Sequence, residues 1–232
     1  MGGYEYGAVA SALALELFFK AFYATAGREE DILRRSVVGA NLGVYQEAQR
    51  LTTRMGTTLT AVSISHDHLC LAHVGDSRAY LVRRNHVTCL TNDHTAVADL
   101  VRMRIISPDK LRTHAQRSVL NRCLGLNMFV QPDISQVKIE SGDIVVLCSD
   151  GVWSAIQDEE FAQVASQSPA PDTLSRHLVD LALRRQTEDD LSVIAIGIHE
   201  MPPKAARDEC AKGDECQQRR RMRQKRRMRL WA

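Results

Sequence analysis

The 232-residue sequence predicts an α+β fold in which sheet and helices segregate into layers, and three observations carry that expectation. Apolar residues recur at three- and four-residue spacing from residue 5 to about residue 51. At Thr57 the period changes to two and holds to about residue 90. After an interruption over 93–125, strands return, followed by a helix pair and a closing strand.

Residues 5–26 read as a helix that is apolar on most sides, with Leu13, Leu17, Phe18 and Phe22 on one stripe. The stretch has the length of a signal peptide and an Ala-Thr-Ala end. No basic residue precedes it, however, and Glu16 and Lys20 interrupt the apolar run, so a buried helix is the expectation. Gly27 ends it. Arg28-Glu29-Glu30-Asp31 opens a second helix with acids in its first turn, where the helix dipole favours them. Ile32, Leu33, Val37, Ala40, Val44 and Ala48 continue at helical spacing, which predicts an antiparallel helix pair.

Residues 58–65, 69–74, 77–83 and 86–90 alternate and are joined by short links, which predicts an antiparallel meander. The insertion that follows loses this alternation. Residues 95–105 read as a short helix, Ser107-Pro108-Asp109 caps another, and 117–124 is irregular. A segment of this kind between strands is where a mobile lid lies. Strands are predicted again at 129–139 and 143–148, helices at 158–166 and 171–185, and a last strand at 191–198.

Net charge is +2, but it is unevenly placed. Residues 201–232 carry 11 Lys and Arg against 4 Asp and Glu, and residues 1–200 carry 19 against 24. The tail reads as a solvated, disordered segment, or as an electrostatic contact with nucleic acid or an anionic membrane surface. None of the six cysteines has Cys-x-x-Cys spacing, and Cys70, Cys89 and Cys148 sit in apolar strand-like runs. That pattern predicts reduced thiols in a cytoplasmic protein without a membrane span, and no ligand spacing supports a zinc site.

Three acids stand out. Asp150 follows the apolar run Ile144-Val145-Val146-Leu147-Cys148, and the Asp-Gly pair there reads as a turn. Asp189 precedes Leu191-Ser192-Val193-Ile194, a run rich in β-branched residues, and Asp76 lies in Gly75-Asp76-Ser77-Arg78 between two strands. Singly, each has the reading of a turn residue that bonds its own backbone. Together, three carboxylates at strand ends form a cage for a hard divalent cation such as Mg²⁺ or Mn²⁺.

The order of motifs sharpens this. Met55-Gly56-Thr57-Thr58-Leu59, Val74-Gly75-Asp76-Ser77-Arg78-Ala79-Tyr80, Leu90-Thr91-Asn92-Asp93-His94, Leu124-Gly125, Ser149-Asp150-Gly151 and Asp189-Asp190-Leu191-Ser192-Val193 follow one another. This succession resembles the metal-dependent protein phosphatases of type 2C, the PPM family, over residues 1 to about 199. The resemblance implies an α-β-β-α sandwich, two antiparallel sheets stacked face to face with a helical layer outside each. It would occupy residues 1–200, with a lid at about 93–127 and a basic tail after it.

The same resemblance implies a protein serine/threonine phosphatase acting on phosphorylated proteins, in company with a cognate kinase. Two Mn²⁺ or Mg²⁺ ions sharing a water would activate it for in-line attack on phosphorus. Asp150 and Asp189 would serve this catalytic pair as ligands, directly or through waters, and Asp76 would bind a third, weaker cation. Gly151 would let the backbone turn tightly, and Asp190, where the family usually has Asn, would orient Asp189. Ser154 stands where some members carry another acid. His94 and His114 flank the lid, as proton donors or as structural or merely exposed residues.

Met1-Gly2-Gly3-Tyr4-Glu5 looks like the second half of the family's Asp-Gly-Met-Gly-Gly motif. By that likeness the metal-bridging Asp, a phosphate-clamping Arg and the opening strands would lie before Met1. Weak Mn²⁺ binding and slow hydrolysis are then expected of the chain as written. The readings of that start are a misplaced start or gene fragment, and a scaffold that has shed catalysis. The alternative function is a non-catalytic phosphoprotein-binding or regulatory module on the same fold.

Overall fold

The computed structural model describes residues 6–168 and 170–199, together with the backbone of 229–231. Met1–Glu5, where the start of the family motif was read, lies outside the described residues, as does the tail over 200–228. Two helices come first, α1 (Gly7–Ala24) and α2 (Glu29–Arg50). Four strands follow: β1 (Leu59–Ser65), β2 (His68–Val74), β3 (Arg78–Arg83) and β4 (His86–Cys89). The insertion expected to be a lid contains α3 (Ala96–Arg102) and a 3-10 turn at Pro108–Leu111. Beyond it lie β5 (Asp133–Lys138), β6 (Ile144–Cys148), α4 (Asp150–Ala155), α5 (Asp158–Gln167), α6 (Pro171–Arg184), β7 (Val193–Gly197) and β8 (Arg229–Trp231).

The strands form two antiparallel sheets, ordered β5-β2-β1-β8 and β4-β3-β6-β7. Period-two alternation sends successive residues of one strand to different layers. In β2, Cys70, Ala72 and Val74 pack on the helix pair, while Leu69 and Leu71 face the other sheet. In β6, Val145 and Leu147 join that central layer, and Val146 and Cys148 face α5 and α6. Strands covered on both faces have no polar side to show, which is why Ile144–Cys148 is apolar throughout. Three apolar layers thus stack between four layers of secondary structure, as the α-β-β-α expectation requires.

The second helix packs as its spacing predicts, while the stripe of the first is shifted from Leu13 and Leu17 to Ala10 and Ala14. Ile32, Leu33, Val37, Ala40, Val44 and Ala48 are all buried. On α1 the inner stripe is Ala10, Ala14, Phe18 and Phe22, with Leu13 and Leu17 partly buried beside it. By length and composition α1 could cross a membrane. Here its stripe closes the outer core.

The structure corrects the sequence reading in three places. The predicted meander is split, because β1 and β2 pair in one sheet while β3 and β4 pair in the other. Gly75, at φ +119°, turns the chain from one sheet to the next, and a Cβ there would lie 2.4 Å from Thr58 Cγ2. Asp150-Gly151 is not a turn but the first two residues of α4, entered through Ser149. Finally, Arg229–Trp231, read as part of a free tail, pair with β1 in the register Thr60↔Trp231. The four described cysteines, Cys70, Cys89, Cys123 and Cys148, are free thiols.

Candidate active site

The second sheet has a rung at Arg78↔Cys148↔Val193, where β3 begins, β6 ends and β7 begins. Two residues beyond that rung on β3 and β6 lie Asp76 and Asp150, and Asp189 is four beyond it on β7. Antiparallel register therefore gathers all three acids off one edge of the sheet.

Each carboxylate of the closer pair is held by the amide that follows it. Gly151 N–H donates to Asp150 Oδ1 at 3.1 Å, and Asp190 N–H donates to Asp189 Oδ1 at 2.8 Å. The two segments are sewn together around them. Ser149 Oγ donates to the Asp190 carbonyl at 2.9 Å and accepts from Ser192 N–H at 3.2 Å, while Thr187 Oγ1 donates to the Gly151 carbonyl at 3.2 Å. A Cβ on Gly151 would stand 2.7 Å from Asp190 O and 3.1 Å from Asp189 Cβ. Glycine is therefore required there by close approach of the 189–191 segment, rather than by a turn.

Electrostatics marks the pair as undercompensated. Burial, and next the charge of Asp189, hold the Asp150 carboxyl above the usual carboxylate range. Asp76 is buried and pushed up to about 7 by burial, then by Asp150 and Asp93. The buried Arg78, two residues from Asp76, is already engaged elsewhere. Arg78 is committed to Asp93 by paired bonds of 2.9 and 2.7 Å, and its guanidinium lies 3.7 Å over the Trp153 ring.

The three acids do not close into one cage. Asp150 and Asp189 adjoin, while Asp76 stands apart, within reach of Asp150's charge. Among the described residues no three His, Cys, Asp or Glu side chains converge as a ready-made metal centre. A divalent cation nevertheless fits. The donors are hard carboxylate oxygens in mutual repulsion, and a cation held by few protein ligands keeps waters in its other positions, as Mg²⁺ and Mn²⁺ do.

Sequence reasoning missed the groups that hold Asp76. Trp153 Nε1 donates to the Asp76 carbonyl at 2.8 Å. His94 sits on the preceding residue, its Nδ1 accepting from Gly75 N–H at 3.0 Å and its own N–H donating to Gly75 O at 2.8 Å. His114 makes only a local bond, accepting from Gln116 N–H. Ser154, in place of an acid, donates to the Gly151 carbonyl. The motif Leu90-Thr91-Asn92-Asp93-His94 was the available signal, since its Asp93 and His94 both reach back to the Gly75–Arg78 loop.

The protein phosphatase 2C family model matches residues 13–191, most of the chain and all three acids. The chain belongs to that family, one of metal-dependent serine/threonine phosphatases. The serine/threonine phosphatase stp of Listeria welshimeri is 30% identical over 84% of this chain and 81% of its own length. Among solved structures, the serine/threonine phosphatase PstP/Ppp of Mycobacterium tuberculosis superposes with a TM-score of 0.79 at 31% identity, covering 86% of each chain. A structure of the PstP catalytic domain in complex with two manganese ions gives 0.76 at 30% identity, covering 86% of this chain and 85% of that one. The two-sheet sandwich of this family member is thus shared with enzymes that are hydrolases.

Proposed function

We propose that this phosphatase 2C family member hydrolyses phosphoserine and phosphothreonine in proteins, using Asp150 and Asp189 to hold divalent cations and Asp76 to hold a further, weaker one. The observation that carries this is the adjoining Asp150 and Asp189, two carboxyl groups anchored by their own following amides and, among the described residues, in no ion pair with Lys or Arg. Such an arrangement is unfavourable alone and favourable around a cation. When bound there, Mn²⁺ or Mg²⁺ would lower the pKa of a water so that hydroxide is available near neutral pH, and would offset charge on the phosphoryl oxygens.

The chain's own residues position and exclude. Asp189, on an exposed segment, faces Asp150 because Ser149 and Thr187 bind that segment to the start of α4. Asp76 is presented by a peptide whose carbonyl Trp153 holds. Of the four described thiols, Cys70, Cys89 and Cys148 lie in the sheets, and Cys123 is near enough to Asp76 to feel its charge. Burial pushes Cys70 up to about 12 and Cys123 to about 11, so they stay protonated and supply no nucleophile. Free thiols of this kind also support a cytoplasmic setting.

Calorimetric titration with Mn²⁺, beside hydrolysis of p-nitrophenyl phosphate and a phosphothreonine peptide, tests the reading. Asp189→Asn, which keeps the shape and removes the charge, is expected to weaken Mn²⁺ binding by about tenfold or more and to abolish turnover. Unchanged Mn²⁺ affinity in that variant would overturn the assignment.

A further inference from the structure

Asp76 stands apart from the Asp150–Asp189 pair, and the residue before it is held by a side chain from the start of the lid. Gly75 is gripped on both sides by one residue, its N–H by His94 Nδ1 at 3.0 Å and its carbonyl by His94 N–H at 2.8 Å. Because Nδ1 accepts, the ring proton resides on Nε2. That atom faces Asp133 Oδ2 at 3.2 Å, off the line of a directed hydrogen bond, so the attraction there is electrostatic. Asp133 in turn accepts from Arg122 at 2.8 Å, and Arg122 also donates to the Gln131 carbonyl. His94 opens the lid and Arg122 lies at its exit, and Asn121 N–H donates to His94 O at 3.0 Å between them.

Two further features keep His94 in this tautomer. The ring is buried, and burial, then the charge of Arg122, lowers its pKa, so it stays neutral near pH 7. Against its other face lies the buried His73 ring, with centroids 4.8 Å apart, whose Nδ1 meets Thr60 Oγ1 at 2.9 Å. Nδ1 is used on Gly75 and Nε2 faces Asp133, so the ring is placed to hold backbone.

We infer that His94 is a positioning residue, which locks the Gly75-Asp76 backbone and so aims the Asp76 carboxylate, with Asp133 and Arg122 tying that lock to the exit of the lid. The inference rests on the reading of Asp76 as a cation ligand. It extends that reading by making the metal site answer to the lid: a displacement of Arg122 or Asp133 loosens Gly75 without touching any acid of the site.

The test compares His94→Leu with His94→Asn in the full chain. The Asn side-chain oxygen takes the place of Nδ1 and keeps an acceptor for Gly75 N–H, whereas Leu fills the space without one. Amide hydrogen exchange over residues 75–77, read without metal, is expected to speed up about tenfold or more in His94→Leu and to stay near wild type in His94→Asn. Calorimetric Mn²⁺ affinity should follow the same order, with a loss of about tenfold in the Leu variant. Equal exchange in the two variants, or wild-type exchange in His94→Leu, would overturn the inference. Should His94→Leu fail to fold, Asp133→Ala serves, with a smaller acceleration of exchange expected and unchanged exchange at 75–77 counting against it. A wild-type chain that gives no Mn²⁺ heat overturns the cation reading alone, and exchange at 75–77 still decides the role of His94.

Discussion

Gly151 shows how much a missing side chain can decide. On propensity alone Gly151→Ala would favour α4 by roughly 1 kcal/mol. Against that stands a Cβ 2.7 Å from Asp190 O, a backbone carbonyl that cannot rotate away. Forcing it apart costs about 1–3 kcal/mol, and the only escape is to push the 189–191 segment outward. The clash wins. Gly151→Ala is therefore expected to lower the melting temperature and to weaken Mn²⁺ binding together, whereas Gly142→Ala, with open space around its Cβ but a φ of +90° that strains any side chain, should lower the melting temperature and leave Mn²⁺ binding alone. Thermal melts and calorimetry on both variants check this. The glycine was legible in the sequence, but its reason was not. Asp-Gly after a strand carries turn chemistry, and only the approach of a segment about forty residues away shows that closeness, rather than a bend, demands it. His94 and Trp153 were opaque for the same reason, since their partners are backbone groups distant in sequence.

Among elements, what was readable follows from periodicity, and what was not follows from where chains cross. The inward face of α2 was legible residue by residue because one helix face meets one core. The split between β2 and β3 was hidden, since Val74-Gly75-Asp76-Ser77 has the length of a hairpin link and nothing local tells a turn within a sheet from a step between sheets. Six-residue α4 was too short for a period to show. The lid's attachment was hidden too. Arg112, just past the 3-10 turn, donates to the Ile156 carbonyl at 3.0 Å and to Asp158 at 2.7 Å, clasping the lid to the start of α5. Its side chain is only 15% exposed, so these charge-assisted bonds are little screened. Arg112→Ala should cost about 1–3 kcal/mol of stability. More tellingly, limited trypsin digestion should cut faster at Arg102, Arg104 and Arg117. If cleavage at those sites kept its wild-type rate, the clasp would be idle.

For the whole molecule, the buried titratable groups oppose one another, and that opposition predicts how stability depends on pH. His73, almost fully enclosed between the first sheet and the lid base, is held down to about 3 by burial and next by His94. An unfolded histidine takes up its proton at about pH 6.5. Below that value the unfolded chain binds more protons than the native one, so stability is complete above about pH 6.5 and falls as pH drops toward 3. Asp76 has the other sign. Its native pKa is raised to about 7, above the roughly 3.9 of an unfolded Asp, so the native chain binds more protons between those values. Its contribution is complete below about pH 4 and is lost as pH rises through 7. Between about pH 4 and 6.5 the two contributions cancel, so without metal the melting temperature should hold a plateau there and sag below and above it. Divalent cation should act on one side only, because it supplies the charge that ionised Asp76 and Asp150 lack and does nothing for a buried imidazole. Melts between pH 3 and 8, with and without millimolar Mn²⁺, are expected to converge at the acid end and diverge toward pH 8. In His73→Asn, which keeps an acceptor for Thr60, the acid-side slope should flatten while the Mn²⁺-dependent divergence persists. An Mn²⁺ effect of equal size at pH 5 and pH 8 would mean that the cation binds away from these acids.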